Sequence, residues 1–249
     1  MKAQVQKNSG NNVFIIALVG IVLAGGGFIW WKTQEKPVVV VEMPTVADSA
    51  LASKAHGYTI GSPTAKVEIE EFGDFECPTC ERFATLQEPD IRKNFITTGI
   101  ARFTYYDFPL TNLHPNTMVA SNSAACADDQ GKFWEMHDAL FNNQDMWQGR
   151  GGTTNPRGVI TSLATQVGLD LPKWNACMDV STHSDRIRAN YALGMTKHVG
   201  GTPTFFINGT QMQSNPTYDN LKNAVDAALA ALAPIPSSVP AVPAPKKAK

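Results

Sequence analysis

The chain has 249 residues, of which 43% are hydrophobic, and this is enough for one sizeable folded domain with additional segments. Its formal net charge is −1, and residues 58–232 carry nineteen acidic against thirteen basic side chains. A mildly acidic domain lacks the basic surface by which proteins bind nucleic acid, so we expect no nucleic-acid partner. The four cysteines are too few for a disulfide-dense scaffold, and their positions therefore decide what they do.

The first long apolar segment runs from Val13 to Trp31 and contains no charged residue. At about 1.5 Å per residue it matches the hydrocarbon core of a bilayer, which is about 30 Å thick. We predict a single transmembrane signal anchor over 13–31 and a short cytoplasmic N-terminus over 1–12, because basic residues precede the segment. The alternative is a cleaved signal peptide, although the nearest suitable cleavage site, at Ala52, lies far downstream. In both cases the remainder of the chain is extracytoplasmic, where disulfides persist.

Two segments lack the periodicity of helices and strands. Residues 32–57 combine a valine run with small polar residues, and we predict that they form a tether. Residues 233–249 are rich in proline, alanine and lysine, and proline removes backbone donors and blocks helix continuation. The sequence therefore predicts a folded domain over 58–232, followed by a disordered tail over 233–249.

The periodicity at the start of this domain alternates between strand and helix. A strand is predicted over Lys66–Phe72, and a continuous helix follows over Cys80–Ile96. A second strand fits Ile100–Phe108, and several helical segments then occupy about 114–199. This order indicates an α/β fold with a helical insertion.

The end of the domain returns to strand periodicity after Gly201. Two short apolar runs flank Asn208-Gly209, a dipeptide typical of tight hairpin turns, and we predict a β-hairpin there. A last amphipathic helix fits residues 218–232.

Cys77 and Cys80 lie where the first strand passes into a helix. Two thiols at this spacing can share a disulfide or bind a soft metal. A zinc site would need a second ligand pair, which the sequence lacks at zinc spacing, and a purely structural bridge would close too short a loop to add much stability. Helix N-termini favour thiolates, so we predict an exposed nucleophile at Cys77 and a deeper resolving thiol at Cys80, with no metal or cofactor.

Glu71 shares a face with the apolar residues Val67 and Ile69 in the strand register. Burial there raises the pKa of its carboxyl group, whereas a register break near Gly73 would leave the side chain in water. We predict that the next acidic residues, Asp74 and Glu76, are solvated charges at the rim of the site. The histidines His114, His137 and His183 are predicted to be packing or helix-end residues.

Five segments resemble the DsbA-like thiol-disulfide oxidoreductases of the thioredoxin-fold superfamily, in particular the membrane-tethered BdbD type. In chain order they are "EEFGDFECPTCERF", "YYDFPL", "HPN", "CADDQGKFWEMHDALF" and "GGTPTFFINGT". The resemblance covers about residues 58–232 and implies a thioredoxin fold with a helical insertion. It also implies that Pro203 is a cis-proline beside the active site, where a trans-proline at a strand start is the alternative. Thr202 would then offer backbone groups to a bound substrate, and Glu71 would relay protons to Cys80.

Cys126 and Cys177 remain once Cys77 is paired with Cys80. They lie on two different predicted helices and would close a loop of about 50 residues, so we predict a structural disulfide. Two buried free thiols are the alternative.

The resemblance implies an enzyme that forms disulfides in exported proteins through a mixed disulfide on Cys77. Its partners would be reduced exported polypeptides and a membrane redox partner that reoxidises the cysteine pair. An isomerase or reductase of the same fold is the alternative. A membrane-anchored chaperone or binding module is a different class of function, and it predicts that Cys77→Ser leaves the activity intact.

Overall fold

A computed structural model describes residues 10–33 and 41–232, and within the first range it describes the side chains of residues 14–27 only. The predictions for residues 1–9, for residues 34–40 of the tether and for the tail over 233–249 lie outside the described residues. The chain divides after Val39 into two units, and the first contains helix α1 (Gly10–Thr33). Within the described ranges, no helix reaches the combined length and hydropathy of a membrane span.

The second unit contains a mixed sheet and a set of helices. The strands are β1 (Tyr58–Ile60), β2 (Val67–Gly73), β3 (Ala101–Asp107), β4 (Thr204–Ile207) and β5 (Thr210–Gln211). The helices are α2 (Ser49–Ala52), α3 (Pro78–Leu86), α4 (Glu88–Ile91), α5 (Thr117–Asp128), α6 (Phe133–Asn142), α7 (Gln144–Trp147), α8 (Pro156–Val167), α9 (Leu171–Asp179), α10 (Ser184–Thr196) and α11 (Tyr218–Leu232), with a π-helical turn at Arg92–Ile96 after α4.

The strands lie in the order β1-β3-β2-β4-β5. β2 and β3 are parallel, as a helical crossover between them requires, and the other neighbours are antiparallel. Asn208 and Gly209 take positive φ values of 48° and 79° and close the predicted hairpin of β4 and β5. Six helices, α5–α10, separate β3 from β4, which confirms the α/β layout with a helical insertion.

The two faces of the sheet are covered by different helices. Val67 and Ile69 point toward α3, α4 and α11 and pack with an apolar cluster that includes Phe83 and Leu221. Phe72 points to the opposite face, where α10 lies so close that a Cβ on Gly194 would be 2.5 Å from the ring of Phe108. This period of two along β2 is the reason that Glu71 lies on the α3 side of the sheet.

Two of the insertion helices, α8 and α9, begin at the residues that helix chemistry predicts. Pro156 and Pro172 occupy first-turn positions, and the side chains of Asn155 and Asp170 accept hydrogen bonds from the first turns of α8 and α9. Gly168 ends α8 in the left-handed conformation with φ of 76°. Buried aromatic side chains, among them the fully buried Trp147 and Trp174, fill the centre of the insertion.

The single helix predicted over Cys80–Ile96 is wrong, because the chain breaks at Gln87 into α3 and α4. Pro89 cannot donate a hydrogen bond to the preceding turn, and its ring would clash with the carbonyl of Thr85 in a continuous helix. The break turns Glu88 into the interior, where 1% of its surface is exposed.

The segment predicted as a tether contains α2, and its last part packs on the domain. Ala52 is buried, and the His56 backbone N–H donates to Asn190 Oδ1 over 2.9 Å. The packed region therefore begins several residues before 58.

Candidate active site

Cys77 is the N-cap residue of α3, and Pro78 occupies the first helical position. The pKa of the Cys77 thiol is lowered to about 5, first by a hydrogen bond from the Cys80 side chain and also by Thr202 and by first-turn N–H groups, against the effect of burial. The side chain was predicted to be exposed, but only 7% of the residue is accessible. A thiol of this pKa is ionised at neutral pH and is a nucleophile.

Cys80 lies one turn deeper and is fully buried. Burial raises its pKa well above the ordinary value, and the hydrogen bond to Cys77 and the charges of Cys77 and Glu71 act in the same direction. Both cysteines are free thiols here. The pair therefore combines one ionised sulfur near the surface with one protonated sulfur in the interior.

Glu71 is 1% exposed on β2, in register with Tyr105 of β3 and Phe205 of β4. The ladder continues through Gly73, so the register break that would have left Glu71 in water does not occur. The pKa of its carboxyl group is raised, first by burial and then by the negative charges of Glu88 and Cys77.

A second group of charged side chains, partly buried, lies beside Glu71 and was not predicted. Glu88 accepts a 2.7 Å hydrogen bond from Arg92 Nε, and the same guanidinium group binds both carboxylate oxygens of Asp138 at 3.0 and 2.9 Å. His137 is fully buried, with Nδ1 2.9 Å from Asp138 Oδ1 and Nε2 3.8 Å from Glu88 Oε2. The one available signal was the i,i+4 spacing of Glu88 and Arg92, which also occurs on solvated helices.

Asp74 and Glu76 are not solvated rim charges, because 0% and 2% of their surfaces are exposed. Asp74 accepts hydrogen bonds of 2.6–2.8 Å from four groups and so joins the active-site loop to the insertion; the donors are Glu76 N, Thr117 Oγ1, Leu110 N and His114 Nδ1. Glu76 accepts from the backbone N–H groups of Asn116 and Gly149, each over 2.6 Å. Strand periodicity ends at Gly73, and for this reason it could not reveal that distant backbone donors surround these carboxylates.

Gln144 of α7 also forms hydrogen bonds with the active-site loop. Its Nε2 donates to the carbonyl oxygens of Phe75 and Cys77 over 2.7 and 3.1 Å. The backbone around the nucleophile is thus bonded to side chains of the helical insertion.

Thr202 and Pro203 face Cys77 from the loop before β4, and the peptide bond between them is cis. The Cys77 sulfur lies 3.3 Å from the backbone oxygen of Thr202. A pocket beside Pro203 is lined by residues of β4, β5 and the segment that follows, including Phe205, Met212 and Pro216.

Cys126 of α5 and Cys177 of α9 are joined in a disulfide, which is the predicted pairing. His183 lies beside this disulfide and forms an ion pair of 2.9 Å with Asp129. Both sulfur atoms are part of the disulfide, so Cys126, Cys177 and His183 do not offer a set of metal ligands in this oxidised state.

The chain matches the thioredoxin family over residues 53–227. It is 34% identical over 170 residues to Na(+)/H(+) antiporter NhaA 1 of Salinispora arenicola, a match that covers 68% of this chain and 24% of the antiporter. It is 24% identical over 167 residues to Disulfide bond formation protein D of Bacillus subtilis, covering 67% of this chain and 74% of that protein.

The crystal structure of oxidised BdbD from Bacillus subtilis has the same fold, with a TM-score of 0.62 and 23% identity over 69% of this chain and 92% of that chain. The chain thus spans about a quarter of the length of the antiporter and most of the length of the BdbD structure. The matched region contains β1–β5, the helical insertion and both cysteine pairs. The chain belongs to the thioredoxin family, with a helical insertion between β3 and β4.

Proposed function

We propose that this protein is an extracytoplasmic thiol-disulfide oxidoreductase that forms disulfides in exported proteins. The observation that carries this proposal is the difference between the two active-site thiols, one with a pKa of about 5 and the other fully buried with a raised pKa. A similar protein from Bacillus subtilis is named for disulfide bond formation.

The reaction is a two-electron exchange. A substrate thiolate attacks Cys77 of the oxidised pair, the Cys77–Cys80 bond breaks, and Cys80 leaves and takes up a proton. A second substrate thiolate then attacks the substrate sulfur of the mixed disulfide and releases Cys77 as a thiolate. The substrate gains a disulfide and the enzyme pair becomes a dithiol.

The lowered pKa supports the oxidising direction. A stabilised thiolate on Cys77 favours the reduced pair, which makes the disulfide a stronger oxidant. The value of about 5 lies between those of thioredoxin, about 7, and DsbA, about 3.5. We therefore expect a reduction potential between the corresponding extremes of about −270 and −120 mV.

The surroundings of Cys77 support binding of an extended polypeptide. The backbone of Thr202 lies against the sulfur, and a pocket with a mostly polar lining lies beside Pro203. We propose that Thr202 and Pro203 position the substrate backbone, that Glu71 exchanges a proton with Cys80, and that the Cys126–Cys177 disulfide is structural. No cofactor enters this reaction scheme.

We also propose that residues 13–31 anchor the protein in the cell membrane, with the catalytic domain outside the cytoplasm and a membrane redox partner that reoxidises Cys77 and Cys80. The uncharged run of apolar residues and the terminal Trp30 and Trp31 support this placement.

The test is oxidation of a reduced, unfolded polypeptide by the oxidised protein, together with titration of the active-site pair against a glutathione buffer. Cys77→Ser should abolish the activity. Cys80→Ala, mixed with the oxidised polypeptide, should accumulate a mixed disulfide, because Cys77 attacks a substrate disulfide and no Cys80 thiol is present to resolve it. A potential near −270 mV would indicate a reductase instead. Full activity of Cys77→Ser would contradict both the disulfide-forming function and the reductase function.

A further inference from the structure

Three buried polar atoms beneath the active-site helix have no hydrogen-bond partner within the described ranges: Glu71 Oε2, Glu88 Oε2 and His137 Nε2. They come from three different elements, β2, α4 and α6. A buried polar atom without a partner costs free energy, and such atoms are rare in folded proteins. Ten such atoms occur within the described ranges, and these three belong to titratable residues that act on one another, so they are candidates for the steps of a proton path.

The three residues form a series that leads away from the sulfur atoms. The charge of Glu71 acts on the pKa of Cys80, and the charge of Glu88 acts on the pKa of Glu71. His137 Nε2 follows, at 3.8 Å from Glu88 Oε2. A shift of less than 1 Å would bring these two atoms within hydrogen-bonding distance.

The imidazole of His137 connects this series with the surface. Its Nδ1 lies 2.9 Å from Asp138 Oδ1, and the Asp138 side chain is 48% exposed. Arg92 Nη2 also lies 3.4 Å from Nδ1, but it donates to Asp138 Oδ1 over the shorter distance of 2.9 Å. An ionised Asp138 accepts hydrogen bonds, so we assign the imidazole proton to Nδ1, which leaves Nε2 unprotonated on the Glu88 side. Arg92 forms ion pairs with both Glu88 and Asp138, the two carboxylates that lie near Nε2 and Nδ1 of the imidazole.

The other titratable groups around the series do not offer an alternative acceptor. Burial raises the pKa of the Tyr105 hydroxyl well above its usual value, so this group stays protonated. Arg92 has donors only. Cys77 takes part in the sulfur exchange itself.

We propose that His137 Nε2 receives and returns the proton that Glu71 exchanges with Cys80, through Glu88, and that Asp138 connects this proton with solvent. The proposal rests on the function proposed above. When Cys80 attacks the mixed disulfide, the Cys77–Cys80 bond forms, the bound thiolate leaves, and the Cys80 proton passes to Glu71 and on to His137. When the Cys77–Cys80 bond opens, the proton moves in the opposite direction. His137 touches neither sulfur and is thus a positioning residue.

The experiment measures attack by Cys77 and attack by Cys80 in a single absorbance time course. Reduced full-length protein is mixed with the chromogenic aromatic disulfide dithionitrobenzoate, so that attack by Cys77 releases a first coloured thiolate and attack by Cys80 releases a second. His137→Gln should slow the second release about tenfold, at the lower end of general acid–base effects, and weaken its pH dependence. The first release should be unchanged.

His183→Gln is the matched control. His183 also pairs with an aspartate, Asp129, at 2.9 Å, but it lies beside the Cys126–Cys177 disulfide and away from Cys80. It should change neither step. Equal rates and equal pH profiles of the second release in wild type and His137→Gln would overturn the relay.

Asp138→Asn provides a second variant if His137→Gln does not fold, as judged by circular dichroism. It should slow the second release less than His137→Gln would, because the amide no longer fixes the imidazole proton on Nδ1, and an unchanged second release would overturn the relay. A wild-type protein without a rapid first release would overturn the proposed function and the relay together, whereas loss of the relay alone leaves the first release intact.

Discussion

At the level of single residues, the environment of Cys77 determines its reactivity. The first turn of α3 and the Cys80 side chain stabilise its thiolate, while Cys80 is fully buried. We predict that the reduced protein has one thiol that iodoacetamide modifies rapidly, with a rate that rises around pH 5 and is constant above about pH 6.5, because the rate follows the thiolate fraction. Mass mapping of alkylated peptides across a pH series measures this. Equal rates at Cys77 and Cys80 would contradict the assignment.

The carboxyl group of Glu71 affects a different step. We predict that Glu71→Gln slows attack by Cys80 on the mixed disulfide by about 10- to 100-fold and leaves the first attack by Cys77 near the wild-type rate. The carboxyl group can take up the Cys80 proton as it passes its own proton on, and the amide cannot. Rapid-mixing kinetics of the two steps measures the effect. A slowed first step with an unchanged second step would show that Glu71 acts on Cys77 instead.

Thermal melting of the same variant provides an independent check. The folded-state pKa of Glu71 is raised, so the folded protein holds a proton that the unfolded chain releases. The protonated carboxyl group adds to the free energy of unfolding. This contribution is fully present below the pKa of Glu71 in the unfolded chain, about 4.3, and is lost as the pH rises through its pKa in the folded protein. Glu71→Gln should therefore melt higher than wild type at neutral pH, and this difference should diminish toward pH 4.

At the level of elements, periodicity predicted β2, β3, the insertion helices and the hairpin, because each of these buries one regular face. It did not predict β1, a three-residue strand at the sheet edge, or the break before α4. The active-site cysteines and Glu71 could be located from the sequence because they lie on the strand–helix junction itself. Glu88, Asp74 and Glu76 could not, because their partners lie elsewhere in the chain and only the tertiary structure brings them together.

The link between α5 and α9 leads to a prediction about stability. The Cys126–Cys177 disulfide connects residues 51 apart, for which the chain-entropy model gives on the order of 4 kcal/mol. We predict that the double Cys126→Ala and Cys177→Ala variant unfolds at lower temperature and still oxidises dithiols. Calorimetry and the activity assay measure the two effects. Loss of activity with unchanged melting would instead make this pair part of an electron relay.

At the level of the whole molecule, the proposed anchor determines where the enzyme acts. We predict that the full-length chain in bacterial cells remains in the membrane fraction after alkaline washing. Val22→Arg should release it, because an arginine at the centre of a membrane helix costs about 2.5–3.5 kcal/mol. Val46→Arg, an exposed position outside α1, is the matched control and should stay with the membrane. Complete extraction of the wild-type protein would contradict the anchor.

The hydrogen bonds of Asp74 and Gln144 have a mechanical consequence. They attach the backbone of the nucleophile to the helical insertion, whereas Thr202 and Pro203 belong to the segment that enters the sheet at β4. The 3.3 Å gap between the Cys77 sulfur and the Thr202 carbonyl oxygen therefore depends on the insertion as well as on β2 and β4. We expect that a substitution at Gln144 would alter this gap without touching either cysteine side chain.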